Sequence, residues 1–126
     1  MSKMIQIKLI QIEITAELNE SNTASAIWNI LPIKEKVNLW GDEIYFSIPL
    51  SLELENGKEL VNIGDLGYWP QGNAFCIFFG PTPLIRGNEI RPASPVTVFC
   101  KVVGDVNILK QVASGTEVII ERKENG

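Results

Sequence analysis

Gly64-Asp65-Leu66-Gly67-Tyr68-Trp69-Pro70-Gln71-Gly72-Asn73-Ala74-Phe75-Cys76-Ile77-Phe78-Phe79-Gly80-Pro81-Thr82-Pro83 is the stretch on which the fold turns. Ala74 to Phe79 is apolar at every position and bounded by Gly72 and Gly80, the pattern of a strand covered on both faces at the centre of a core. The glycines at 64, 67 and 72 match neither a dinucleotide fingerprint nor a phosphate loop, and no helix is expected directly after them. Six of the seven prolines lie between Pro49 and Pro95, so Gly80 to Pro95 reads as a stiff loop rather than a flexible linker.

On the N-terminal side of this block, Ile33 to Trp40 alternates, turns at Gly41-Asp42 and returns as Glu43 to Ile48, a hairpin ended by Pro49. In its second strand Ile44, Phe46 and Ile48 share one face, and Glu43, Tyr45 and Ser47 the other. The stretch from Ser51 to Ile63 reads as a small exposed hairpin or an ordered loop around the turn Glu55-Asn56-Gly57-Lys58. Further out, Ile5, Ile7 and Leu9 alternate and then change phase to Ile10, Ile12 and Ile14, which a continuous strand would need a bulge or bend near Leu9-Ile10 to accommodate. Glu20 to Thr23 offers N-cap candidates, Ala24, Ile27, Trp28 and Leu31 follow at helical spacing, and Pro32 is a stop, which predicts one short helix from Asn22 to Ile30. On the C-terminal side, Val96 to Val103 and Glu117 to Glu121 read as strands, and Asp105 caps a single helical turn through Lys110. Ile and Val number 26 against 11 Leu and 6 Ala, a β-branched excess that favours strands throughout.

The chain has 126 residues with Lys+Arg 11 and Asp+Glu 15, a net charge of −4, and no histidine. Its length suits one domain, residues 1–126, able to bury a core without disulfides or metals. Lacking His, it is without the commonest neutral-pH acid/base and most zinc and iron sites. No metal or cofactor is expected. Its cations form no stripe that would track phosphates, so nucleic acid is not an expected partner, and no apolar run is long enough for a membrane span. The absence of a signal-type hydrophobic region points to the cytoplasm, where Cys76 and Cys100 would be reduced core residues. Glu53 and Glu55, with no third ligand or acid partner, read as a solvated face.

The block from Gly64 to Pro83, together with Gly41-Asp42-Glu43-Ile44-Tyr45-Phe46-Ser47-Ile48-Pro49 and Ile90-Arg91-Pro92-Ala93-Ser94-Pro95-Val96, resembles the signature of small prokaryotic cyclophilin-like proteins, a domain family of unknown function. The resemblance covers essentially the whole chain. It implies a mainly β fold: a closed barrel of about eight strands with one or two short helices, as in the peptidyl-prolyl isomerases called cyclophilins. Phe46-Ser47-Ile48-Pro49 falls where a cyclophilin carries its Phe-His-Arg-Ile-Ile-Pro strand, Gly64-Asp65 resembles its Gly-Gly-Asp, and Gly72-Asn73-Ala74-Phe75 resembles its Gly-Ser-Gln-Phe. The catalytic arginine has no counterpart, since that neighbourhood holds Tyr45, Phe46 and Ser47. In a cyclophilin this arginine helps weaken the amide resonance behind the roughly 18–20 kcal/mol rotation barrier.

The functional expectation is a barrel that binds a small molecule or a peptide segment in a surface groove, with no catalytic residue assigned. The alternatives are a weak or non-standard isomerase, and an accessory subunit of a larger complex. Oligomeric state is left open. Candidate ligand-binding residues are Tyr45, Ser47, Asp65, Tyr68, Trp69, Asn73 and Arg91. Tyr68-Trp69-Pro70 would either wall a groove or lid the barrel, and Tyr45 and Ser47 share an outward strand face. Asp65 and Asn73 would either orient a ligand or bond the backbone of their own turns. Of the three arginines, Arg86 and Arg91 flank Gly87-Asn88-Glu89, and Arg91 is the better placed to substitute for the missing arginine or to pair with Glu89.

Overall fold

The change of phase at Leu9-Ile10 is a chain reversal. In the computed structural model, which describes residues 3–84 and 89–123, Met4–Leu9 (β1) and Ile12–Leu18 (β2) form a hairpin with Leu9 opposite Ile12, Ile7 opposite Ile14 and Ile5 opposite Ala16. Opposed residues of an antiparallel pair face the same side, so a tight two-residue turn leaves Ile5, Ile7 and Leu9 and, across from them, Ile12 and Ile14 pointing inward, with Ile10 exposed in the turn. A single bulged strand is therefore not what forms. The turn lacks the usual Asn-Gly signal and instead holds Ile10 at φ 52, which hid it from the sequence.

The predicted helix is present as Asn22–Ile30 (α1), with the Ser21 hydroxyl accepting from the Ala24 N–H. It buries Thr23, Ala24 and Ile27. Its C-terminal end is tied down by the Arg122 guanidinium, which donates twice to the Trp28 carbonyl (3.0 and 3.2 Å) and stacks 4.9 Å from the Trp28 ring.

Ile33–Lys36 (β3) and Asn38–Leu39 (β4) are separated only by Val37, whose N–H and C=O pair with Thr116 and Gly115. Glu43–Ser47 (β5), Asp65–Trp69 (β6), Ala74–Phe78 (β7), Thr97–Val103 (β8) and Glu117–Arg122 (β9) complete one antiparallel sheet. Its order is β3-β9-β1-β2-β8-β6-β7-β5-β4. The two end strands are consecutive along the chain, so Ile33–Leu39 pairs first with β9 and then with β5 and brings the sheet round into a barrel. Closure of this kind removes the free edges of an open sheet. The division of this segment at Val37 is why nine strands are seen among the described residues where about eight were expected.

Inside the barrel lie Ile5, Ile7, Ile44, Leu66, Ile77 and Ile120, with Phe75 stacked on Phe46 (centroids 5.0 Å) and meeting Phe99 edge-on (5.1 Å). β7 is buried at every position because its outer face is covered too: Ala74, Cys76 and Phe78 pack with Val61, Ile90 and Val96 in a second cluster. That cover comes from two loops.

The stretch from Ser51 to Ile63 is an ordered loop. Glu53 is exposed and Glu55 partly so, but Glu55 is more than the solvated carboxylate expected: it accepts from the Asn22 and Thr23 N–H groups and from the Thr23 hydroxyl, capping α1 from 32 residues away. The described part of the proline-rich loop from residue 89 onward lies over the outer face of β6 and β7, pinned where the Thr82 hydroxyl donates to the Arg91 carbonyl and Trp69 Nε1–H donates to the Ser94 hydroxyl. Asp105 accepts from the Asn107 N–H and starts a 3-10 turn over Asn107–Gln111. No helix among the described residues is long and apolar enough to cross a membrane.

Candidate functional site

Alternation decides which side chains of the signature block reach the surface. On β5, Ile44 and Phe46 point into the barrel and Glu43, Tyr45 and Ser47 point outward; on β7, Phe75 and Ile77 point in and Ala74 and Cys76 out; on β6, Leu66 and Tyr68 point in and Gly67 and Trp69 out. The register places Tyr45 and Gly67 on either side of Cys76, and Ser47 and Trp69 on either side of Ala74. Across these two outer rows the small groups of Cys76, Ala74 and Gly67 thus lie between the large side chains of Tyr45 and Trp69.

That relief forms a cleft of about 140 Å³. Tyr45 and Trp69 wall it from the sheet, and Trp40, exchanging both backbone hydrogen bonds with Glu43 across the Gly41-Asp42 turn, stands on the same face. Pro92, Ala93 and Val96 of the covering loop form the remaining side. Two contacts fix the Trp69 indole. A Cβ built on Gly72 would lie 2.8 Å from Trp69 Cε3 and Cζ3, so the indole rests on a glycine, and its N–H is held by Ser94. A Cβ on Gly67 would lie 2.8 Å from Val96 Cγ2, so the loop also seats against bare backbone.

Glu43 is the one acid among the cleft's lining residues and is only 6% exposed. Burial pushes its carboxyl up from the ordinary 4.5 to about 7, opposed by a hydrogen bond from the Cys76 thiol. No Lys or Arg lines the cleft among the described residues. The same burial, reinforced by the neighbouring carboxylate, pushes the Cys76 thiol well above its usual range, which suits a packing group and not a nucleophile. Glu43 therefore changes charge near neutral pH in a chain without histidine, and it does so inside an aromatic-walled cleft.

Of the candidate residues, the structure brings Tyr45 and Trp69 together at this cleft. Tyr68 is not beside them. Strand alternation turns it inward, fully buried, where its hydroxyl donates to the Leu50 carbonyl (2.7 Å) and accepts from the Leu52 N–H (3.1 Å). Ser47 is exposed beyond the cleft and donates to the Gly72 carbonyl (3.0 Å). Asp65 accepts from the Asn62 N–H (2.8 Å), with Lys101 Nζ at 3.9 Å. Asn73 occupies the left-handed region at φ 47, closing the 3-10 turn Pro70–Gly72 by donating its N–H to the Pro70 carbonyl. Arg91 pairs with Glu89 at 3.1 Å, and its side chain is not among those lining the cleft. Arg86 lies outside the described residues.

Trp40, Glu43, Cys76 and the Pro92–Val96 wall were not singled out from the sequence as site residues. The signal available for Glu43 was an acid at the first position of an alternating strand that a proline-rich loop would cover. Nothing local says which turn of that loop does so.

The family model described as Cyclophilin-like matches residues 3–121. The solution structure of a hypothetical protein, AF2241, from Archaeoglobus fulgidus is similar at 43% sequence identity, covering 97% of this chain and 95% of that one, with a TM-score of 0.82. No curated protein matches the chain.

Proposed function

The chain belongs to the cyclophilin-like family, and within that barrel we propose that the outer cleft between β5, β6, β7 and the proline-rich loop is a binding site for a small ligand or for one side chain of a peptide. The observation that carries this reading is the conjunction of three aromatic walls, the small Cys76 side chain between them and one buried carboxyl, Glu43, with no cation among the described residues that line the cleft. A concave, mostly apolar surface with a single well-placed polar group is the general form of a ligand site. Its capacity is that of a small group, since an engineered cavity of about 150 Å³ takes one benzene. Binding without isomerase chemistry is favoured because the described lining of the cleft includes no cationic side chain and Arg91 pairs with Glu89.

The test is a fragment screen by protein NMR on the intact chain and on Trp69→Ala. Hits should move resonances of Tyr45, Cys76, Ala93 and Val96, and the shifts should disappear in the variant. Unchanged shifts in a folded Trp69→Ala protein would remove the proposal.

A further inference from the structure

We infer that the occupant of this cleft is a small organic cation, an alkylated ammonium group seated among Trp40, Tyr45 and Trp69 with its charge directed to the Glu43 carboxylate. The inference rests on the cleft being the binding site and adds the chemical class of what it takes. Trp40, Tyr45 and Trp69 all line a space of about 140 Å³, so a group large enough to fill it lies against aromatic side chains. Ring faces attract cations within about 6 Å by their quadrupoles, most strongly when water is excluded. The carboxylate supplies the formal countercharge.

Every other titratable group facing Glu43 is acidic or neutral: the Cys76 thiol from β7 and the Tyr45 phenol from its own strand, with Trp40 from the turn and Pro92, Ala93 and Val96 from the loop carrying no charge. Among the described residues, then, the cleft presents negative potential and no internal partner for it. A chain of net charge −4 also draws cations toward its surface in general.

The sign of the pH dependence separates this reading from its neutral rival. A cation needs Glu43 ionised, so its affinity should rise with pH through about 7. A ligand that accepts a hydrogen bond, such as a carbonyl, needs Glu43 protonated and should bind more tightly in acid. At pH 5.5 roughly 3% of the carboxyl groups are ionised, so the apparent affinity for a cation should be about thirtyfold below its value at pH 8.5.

Choline and its uncharged isostere 3,3-dimethylbutan-1-ol are suitable probes, titrated against the methyl resonances of Ala93 and Val96. Choline should bind at least tenfold more tightly than the alcohol at pH 8.5, lose up to about thirtyfold by pH 5.5, and in Glu43→Gln lose the pH dependence and most of its preference over the alcohol. Tyr45→Leu keeps an apolar wall and should weaken choline severalfold while leaving the alcohol unchanged. Equal binding of alcohol and choline, or tighter choline binding at pH 5.5, overturns the cation inference while leaving the cleft a binding site. If neither probe moves those methyl groups, the inference fails outright, and the fragment screen decides separately whether the cleft binds anything.

Discussion

Replacing Glu43 with Gln should make the protein more stable above neutral pH. The folded state raises this carboxyl from 4.5 to about 7, so between those values the native state holds a proton that the unfolded chain has released. Stability therefore falls as pH rises across that window, because the unfolded state binds fewer protons there. At about 1.36 kcal/mol per pH unit, the loss accumulated from pH 4.5 to 8.5 comes to roughly 3 kcal/mol. Gln keeps the shape and hydrogen-bonding capacity of the protonated acid without being able to ionise. The two proteins should therefore be similar at pH 4.5, and the variant should be ahead by roughly 3 kcal/mol at pH 8.5. With a urea m-value of about 1–3 kcal/mol per molar, the midpoints should separate by at least about 1 M. Urea melts of both proteins across this pH range give the answer, and other titrating groups cancel in the difference. Curves that stay parallel, or a variant that loses ground as pH rises, would refute the assignment of a buried, uncompensated carboxyl to Glu43.

Tyr68→Phe should cost about 1–3 kcal/mol, because the Leu50 carbonyl and Leu52 N–H lose a shared buried partner; an unchanged denaturation midpoint would count against that role. Glu55→Gln should lower the melting temperature at pH 7. Hydrogen bonds from Asn22 and Thr23 hold the Glu55 carboxyl below its ordinary range, so its contribution is present above about pH 4.5 and lost on acidification, and the two proteins should converge as pH falls. Gly67→Ala drives a methyl group into Val96 and Phe78 and should cost about 1–3 kcal/mol by overpacking, measured by chemical denaturation. A coupled proline-isomerisation assay at high protein concentration should show no acceleration, and a clear acceleration would restore the isomerase reading.

The residues that make the barrel are legible individually. Period-two alternation at Ile44, Phe46 and Ile48, the continuous apolar run from Ala74 to Phe79, and the Ser21 cap with Pro32 as stop each follow from local rules. The Ile10 turn was misread because its residues are atypical for a reversal, and its geometry is imposed by the strands it joins. Glu55 was misread for another reason. Its partner is the N-terminus of α1, 32 residues earlier, and no local pattern reveals a cap supplied from that distance.

The sequence by itself determined a β-rich domain, the two faces of the strand from Glu43 to Ile48, and a chain without histidine. Tertiary structure decided what those facts mean for function. The sheet order puts β7 between β5 and β6 and so sets Cys76 between Tyr45 and Gly67. The proline-rich loop then roofs one part of their outer face and removes Glu43 from water. Ionisation depends on solvation, and solvation depends on which distant segment lies on top. A carboxyl that reads as ordinary in the chain therefore takes over, near neutral pH, the charge change that a histidine would otherwise provide.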